Sequence, residues 1–210
     1  MKKIYIVLFS FIISLSLCGM VHAELSNQSH GWGFVKSKNG VPADAGPELN
    51  AIVERHDAVY KGKPNKKVVY LTFDNGYENG YTSKFLDVLK KHQVPGIFFV
   101  TGHYLKSAPD LAKRMVKEGH LIGNHSWHHP DLTTQSREEI IKELDAVQEE
   151  TAKLTGQKHM HYLRPPRGIF SERTMELAQS LGYKHVFWSL AYKDWDVKNF
   201  ALPENEKKED

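Results

Sequence analysis

Asp74 and Asn75 stand side by side at the end of the run "VVYLTFDN", and His125 and His129 stand four residues apart in "HSWHH". A carboxylate, an amide and two imidazoles are the ingredients of a hydrolytic metal site. Two imidazoles at this spacing can share one cation if the segment between them turns like a helix. An oxygen ligand beside them leaves positions open for water and a substrate carbonyl. Such a metal lowers the pKa of the water and polarises the carbonyl, and a nearby carboxylate takes the proton. Adjacent residues at a strand end point in different directions, so Asp74 and Asn75 can divide these tasks, one facing the metal and one the water. Each signal is weak alone: twelve histidines make chance pairs expected, and Asp-Asn-Gly is also an ordinary turn. His128, between the pair, is expected to point elsewhere.

The elements that must position these groups appear as an alternation from Lys67 onward. "KVVYLTFD" predicts a strand and "TSKFLDVLKKH" a helix with apolar residues at 85, 86 and 89. "GIFFVTG" predicts a second strand, and "APDLAKRMVKEG" a helix closed by Gly119. "HLIGNHS" predicts a third strand. In "SREEIIKELDAVQEETAKLTG", Ile140, Ile141, Leu144, Val147 and Leu154 share one face and Gly156 marks the stop. "HYLRPP", the helix "SERTMELAQSLG" between Ser171 and Gly182, and "KHVFWSL" complete the series. Strands alternating with helices imply an α/β fold with parallel strands and right-handed crossovers. Chemistry in such folds gathers at the C-terminal strand ends. Asp74, His125, His129, Arg164 and Asp194 then crowd one rim. Phe98, Phe99, Phe187 and Trp188 are expected in the core, and His120 is expected to be structural.

The remaining features bound the compartment and the partners. Lys2 and Lys3 precede an apolar run, Ile4 to Leu17, and "GMVHA", the layout of a secretory signal peptide over residues 1–23. The run is shorter than the ~20 residues a spanning helix needs, so cleavage and a secreted or cell-envelope location are expected, with no stable membrane span. Cys18, the one cysteine, leaves with the signal, and the exported domain must rely on its core. The formal charge of +3 includes Lys2 and Lys3, so the processed chain is nearly neutral and nucleic acid is not an expected partner. Residues 24–66, with a Gly/Pro-rich patch and the helical stretch "ELNAIVERHDAVY", read as an extension packed on a domain over 67–197; the charged tail 198–210 reads as solvated.

"TFDNG", "HSWHH", "RPPRG" and "KDW", in this order and spacing, resemble the successive motifs of the polysaccharide deacetylase (NodB homology) family, carbohydrate esterase family four. The likeness covers roughly residues 67–197. "WGF…PADAG" and "TFDNGYENGYT" further resemble the sporulation-type N-acetylmuramic acid deacetylases, which lead to muramic δ-lactam in cortex peptidoglycan. The resemblance implies an incomplete, distorted (β/α) barrel. It implies Asp74 as general base, His125 and His129 as metal ligands with Asn75 beside them, and Arg164 orienting Asp74. Asp194 would tune an acid histidine, Trp195 would wall the acetyl pocket, and Pro165 would lie against the substrate. The implied cofactor is a divalent cation, zinc or another transition metal. The implied partner is the glycan strand of peptidoglycan, bound by a monomer. Arg167 carries its own hypothesis: muramic acid differs from glucosamine by a lactyl group, whose carboxylate a guanidinium at the rim could hold bidentately. The plainer reading is a solvated arginine in a turn.

Two departures set the alternatives. Most of the family has Asp where this chain has Asn75, and a neutral amide is the poorer ligand for a divalent cation. The Leu-His motif that supplies the family's general acid has no counterpart after "KDW", an absence expected to cost about 10²–10⁴ in rate. The leading expectation is a carbohydrate N-deacetylase of peptidoglycan. The competing ones are a catalytically silent glycan-binding remnant and a metal-dependent amidohydrolase acting on non-sugar amides.

Overall fold

The computed structural model describes residues 25–191. The signal segment, Asp194, Trp195 and the charged tail lie outside the described residues. In chain order the elements are β1 (His30–Gly31), α1 (Pro47–Arg55), β2 (Thr72–Asn75), α2 (Thr82–His92), β3 (Ile97–Val100), α3 (Gly102–Ser107), α4 (Pro109–Lys117) and β4 (Leu121–Asn124). Then follow α5 (Arg137–Thr155), β5 (Tyr162–Leu163), β6 (Ile169–Phe170), α6 (Glu172–Ser180) and β7 (Lys184–His185).

Five strands form one parallel sheet in the order β2-β3-β4-β5-β7. The spatial order follows the chain order, so each crossover steps the same way. With right-handed connections this puts the intervening helices on one face, the winding of a barrel and not of a doubly wound sheet. All five strands therefore deliver their C-terminal ends to one rim. β6 leaves this sheet and pairs antiparallel with β1, tying the N-terminal segment to the chain just past β5.

The helix faces explain the packing. α5 starts at Ser136, whose hydroxyl accepts from the Glu139 N–H while Glu139 returns a bond to the Ser136 N–H, a capping box that contributes about 1 kcal/mol. It ends at Gly156, left-handed at φ 81°. Its buried residues Ile140, Leu144 and Val147 join Phe98, Val100, Ile122 and Leu163 of the strands and Leu86, Tyr104 and Met115 of the other helices in the main core. A second cluster sets Ile52 and Val53 of α1 against Phe170, Met175 and Phe187, with Trp32 packed on its edge.

Several expectations need correction. The strand expected over 67–74 begins only at Thr72, and Val68 to Leu71 lie exposed, Val69 at 80 %. β2 pairs with β3 alone, and β3 begins at Ile97 opposite Thr72; the Leu71 carbonyl still accepts from the Ile97 N–H at 3.1 Å, but among the described residues no strand runs alongside Val68 to Tyr70. α3 was not anticipated: it fits between β3 and α4, capped by Thr101, which accepts from the Tyr104 N–H. Phe85, expected on the apolar face of α2, is 53 % exposed. Trp188 is half-buried and lies over the Arg164 guanidinium, not in the core. His120 is buried and accepts from the Gly96 N–H through Nδ1, bracing the start of β3. Among the described residues no helix is long and apolar enough to cross a membrane.

Candidate active site

Arg164 leaves the end of β5 and its side chain reaches four neighbours at once. Nη1 donates to Asp74 Oδ1 at 2.7 Å, Nη2 to Thr72 Oγ1 at 2.9 Å and to the Phe187 carbonyl at 3.3 Å, and Nε to the Val186 carbonyl at 3.0 Å. The guanidinium lies 4.3 Å from the Phe99 ring centroid on one side and 5.4 Å from that of Trp188 on the other. Burial lowers its pKa, and the Asp74 carboxylate opposes that shift. An arginine stays charged under such pressure where a lysine would not. Thr72 and Asp74 can both serve it because strand residues two apart share a face.

The backbone of the same residue orients the first histidine. The Arg164 carbonyl lies 2.7 Å from His125 Nδ1, which fixes the proton on that nitrogen. Nε2 is then left as the lone-pair nitrogen, 3.9 Å from Asp74 Oδ2. His125 is buried at the end of β4, and Asp74, its side chain 42 % exposed, opens to solvent. One carboxylate oxygen is thus pinned by a guanidinium while the other stands free beside a neutral imidazole.

The segment from His125 to His129 does not turn like a helix. Ser126 and His129 are both left-handed, at φ 62° and 59°. Asn124 Oδ1 accepts from the Ser126 N–H and Ser126 Oγ from the His129 N–H, which closes the loop on itself. Trp127 lies so flat on α3 that a Cβ on Gly102 would sit 2.1 Å from its ring. The two imidazoles meet with centroids 4.8 Å apart and planes at 68°. His128 turns away to Glu143, 2.6 Å from its Nδ1. Burial is the first cause holding both site histidines below their ordinary pKa. For His129, the proximity of His125 and of the Arg167 charge adds to it and brings it to about 4.

Asn75 takes the other direction from its neighbour and is buried. Its Nδ2 reaches Thr82 Oγ1 at 3.5 Å, and its Oδ1 is buried with no partner. Neutral imidazoles, one of them with its outer nitrogen engaged by a carbonyl, and an orphaned amide oxygen fit the needs of a divalent cation. The donor set is sparse: no group of three His, Cys, Asp or Glu among the described residues stands close enough to hold an ion. A cation here would draw on two imidazoles with the Asn75 amide oxygen beside them.

The structure therefore brings Asp74, Arg164, His125 and His129 together. Asn75 lies alongside but faces Thr82. Pro165 is buried and accepts from the Gly168 N–H at 3.0 Å, closing the turn that carries Arg167. Asp194 and Trp195 lie outside the described residues. Thr72, Phe99, Trp188 and Asn124 were not anticipated in the site. Thr72 had a usable signal, its position two before Asp74. Asn124 had none: its amide bonds the Leu144 carbonyl and the Tyr183 hydroxyl, groups remote in sequence.

Residues 61–186 match the family described as polysaccharide deacetylase. An uncharacterized 30.6 kDa protein of Geobacillus stearothermophilus is 59 % identical over 188 residues, 90 % of this chain and 71 % of that protein. The peptidoglycan-N-acetylmuramic acid deacetylase PdaA of Bacillus subtilis is 56 % identical over 182 residues, 86 % of this chain and 69 % of that one. Its solved structure, a family 4 carbohydrate esterase, superposes with a TM-score of 0.81 over 83 % of this chain and 75 % of that one, at 56 % identity. A family 4 carbohydrate esterase from Bacillus anthracis gives a TM-score of 0.74 at 51 % identity, over 81 % and 78 %.

Proposed function

The chain belongs to the polysaccharide deacetylase family, and we propose that it hydrolyses the N-acetyl group of N-acetylmuramic acid in peptidoglycan, outside the membrane, with a divalent cation as cofactor. The observation that carries this reading is the Asp74–Arg164–His125 arrangement: a carboxylate with one oxygen held at 2.7 Å by a buried guanidinium and the other turned toward a neutral imidazole at 3.9 Å.

In this reading a water molecule attacks the acetamide carbon and Asp74 Oδ2, the oxygen not engaged by Arg164, accepts its proton. Arg164 keeps the carboxylate in place through its bond to Oδ1 while Oδ2 takes the proton. His125 and His129, with Asn75, would hold the cation, which when bound supplies Lewis-acid polarisation of the carbonyl and a lower water pKa. The carbon–nitrogen bond then breaks, acetate leaves, and the proton taken by Asp74 is the one the departing amine requires. Trp188 lies half-buried over the Arg164 guanidinium. The similarity to a peptidoglycan-N-acetylmuramic acid deacetylase supports the muramic acid assignment, and the "WGF…PADAG" and "TFDNGYENGYT" motifs are the ground for proposing a role in spore-cortex δ-lactam formation. The signal-like N-terminal segment supports export.

The amide at Asn75 favours a second reading, a glycan-binding protein that keeps the groove without turnover. Acetate release decides between them. The purified protein, supplied with zinc, manganese or cobalt, is incubated with peptide-stripped glycan strands and, separately, with N-acetylated amino acids. Release from the glycan alone is expected. Release from both would make it a general amidohydrolase, and binding without release would make it a silent module.

A further inference from the structure

We propose that Glu143 is a positioning residue: through it and its neighbour Leu144, helix α5 sets the separation of the two site histidines. This rests on the reading of His125 and His129 as cation ligands and gives that pair its support.

His128 stands between the two, and its side chain is 73 % exposed. Its backbone N–H donates to Glu143 Oε2 at 2.8 Å, and its Nδ1 lies 2.6 Å from Oε1 of the same carboxylate. The Glu143 side chain is only 12 % exposed. The carbonyl of that same peptide unit, the one belonging to Trp127, accepts from the Gly102 N–H of α3 at 3.1 Å. A peptide unit is planar, so fastening its N–H to one helix and its C=O to another fixes the plane. One residue further along α5, the Leu144 carbonyl accepts from Asn124 Nδ2 at 2.9 Å. Asn124 precedes His125, and His128 precedes His129. Consecutive residues of one helix thus grip the residue just before each imidazole.

The loop requires such a grip. Ser126 and His129 are left-handed without being glycine, at φ 62° and 59°. Conformations of this kind persist where the surroundings impose them. The bonds from the Ser126 N–H to Asn124 Oδ1 and from the His129 N–H to Ser126 Oγ stay inside the loop and would move with it. His125 has further supports of its own, its N–H donating to the Val100 carbonyl at 3.1 Å and its ring held at the Arg164 carbonyl. His129 has no equivalent support among the described residues, and the nearest ties from its side of the loop to other elements are those to Gly102 and Glu143. Loss of the Glu143 carboxylate should therefore displace His129 and leave His125 where it is.

The test measures zinc affinity of the metal-free full chain by calorimetry, and hydrogen exchange of the His129 amide by NMR, in four proteins. These are the wild type, Glu143→Ala, Glu143→Gln and Ser136→Ala. Glutamine can keep both contacts, its oxygen accepting from the His128 N–H and its amide donating to Nδ1 in the other tautomer. Ser136→Ala removes the cap of α5 without touching the loop, and so controls for helix stability. Glu143→Ala is expected to bind zinc about tenfold more weakly and to exchange the His129 amide faster. Glu143→Gln should recover most of both, and Ser136→Ala should keep the wild-type zinc affinity. A folded Glu143→Ala protein with wild-type zinc affinity, or a loss matched by Ser136→Ala, overturns the inference and leaves the cation reading intact. A wild type that binds no zinc, with the His129 amide loosened in Glu143→Ala and restored in Glu143→Gln, sinks the cation reading and supports the positioning role. No zinc binding together with unchanged exchange overturns both.

Discussion

Replacing Arg164 by lysine keeps the charge and removes the shape, which makes it the sharpest probe of how the site is held. The native side chain donates four hydrogen bonds, two to backbone carbonyls at the end of β7, one to Thr72 and one to Asp74, and lies between two aromatic rings. An ammonium is a single point: it can follow Asp74 or the β7 carbonyls, but it cannot span both. At least two acceptors lose their partner, at about 1 kcal/mol each, and the stacking on Phe99 adds about 1 kcal/mol more. Arg164→Lys is therefore expected to cost about 2–4 kcal/mol in urea unfolding, on the order of 10 °C in Tm. A carboxylate released from its clamp is misplaced by something like 1 Å, so kcat for acetate release should fall about 10²-fold with KM little changed. His125 serves as an internal control, because the backbone carbonyl orients its ring and survives the substitution. A lysine variant with wild-type stability and wild-type kcat would refute the reasoning, since the fork geometry would then be irrelevant.

His185 is buried between strand and helix, and burial brings its pKa to about 3 against an ordinary 6.5, so the unfolded state binds the extra proton. Stability should fall as pH drops from about 6.5 toward 3, by at most ~1.4 kcal/mol per pH unit from this group, and His185→Phe should flatten that slope in urea melts at pH 7 and 4.5. Gly102→Ala drives a methyl group into the Trp127 ring; it is expected to cost about 1–3 kcal/mol and, by shifting the loop between His125 and His129, to weaken zinc binding measured by competition with a chelating dye.

The parts of this account that were legible in the sequence are those whose signals are local. Ser136 and Gly156 bracket α5 because a cap needs only neighbours within a turn, and Thr82–His92 could be read from its apolar spacing and its basic end. The ends of β2, β4 and β5 were placed correctly because Asp74, His125 and Arg164 follow or close those apolar runs directly. What failed depended on distant partners. Val68 to Tyr70 have every property of a strand except, among the described residues, a strand beside them, and Phe85 reads as core because helical spacing cannot say which face meets protein. Trp188 looked like filler for a strand, yet a strand of two residues ends before it and leaves its ring over Arg164. The histidine loop could not be foreseen, since nothing in "HSWHH" announces left-handed backbone at Ser126 and His129. The reach of Arg164 was half visible: Asp74 could be matched to it by charge, but the Val186 and Phe187 carbonyls carry no mark of side-chain identity.

The central claim is that Asp74 is a base held ready by Arg164 beside two neutral imidazoles. Acetate release from peptide-stripped peptidoglycan, compared between the wild type and Asp74→Asn under saturating divalent cation, tests it most directly. The asparagine keeps the shape and can still accept from Arg164, so folding should persist while the rate falls by about 10²–10⁴. Asp74→Asn protein that releases acetate at the wild-type rate would contradict the account.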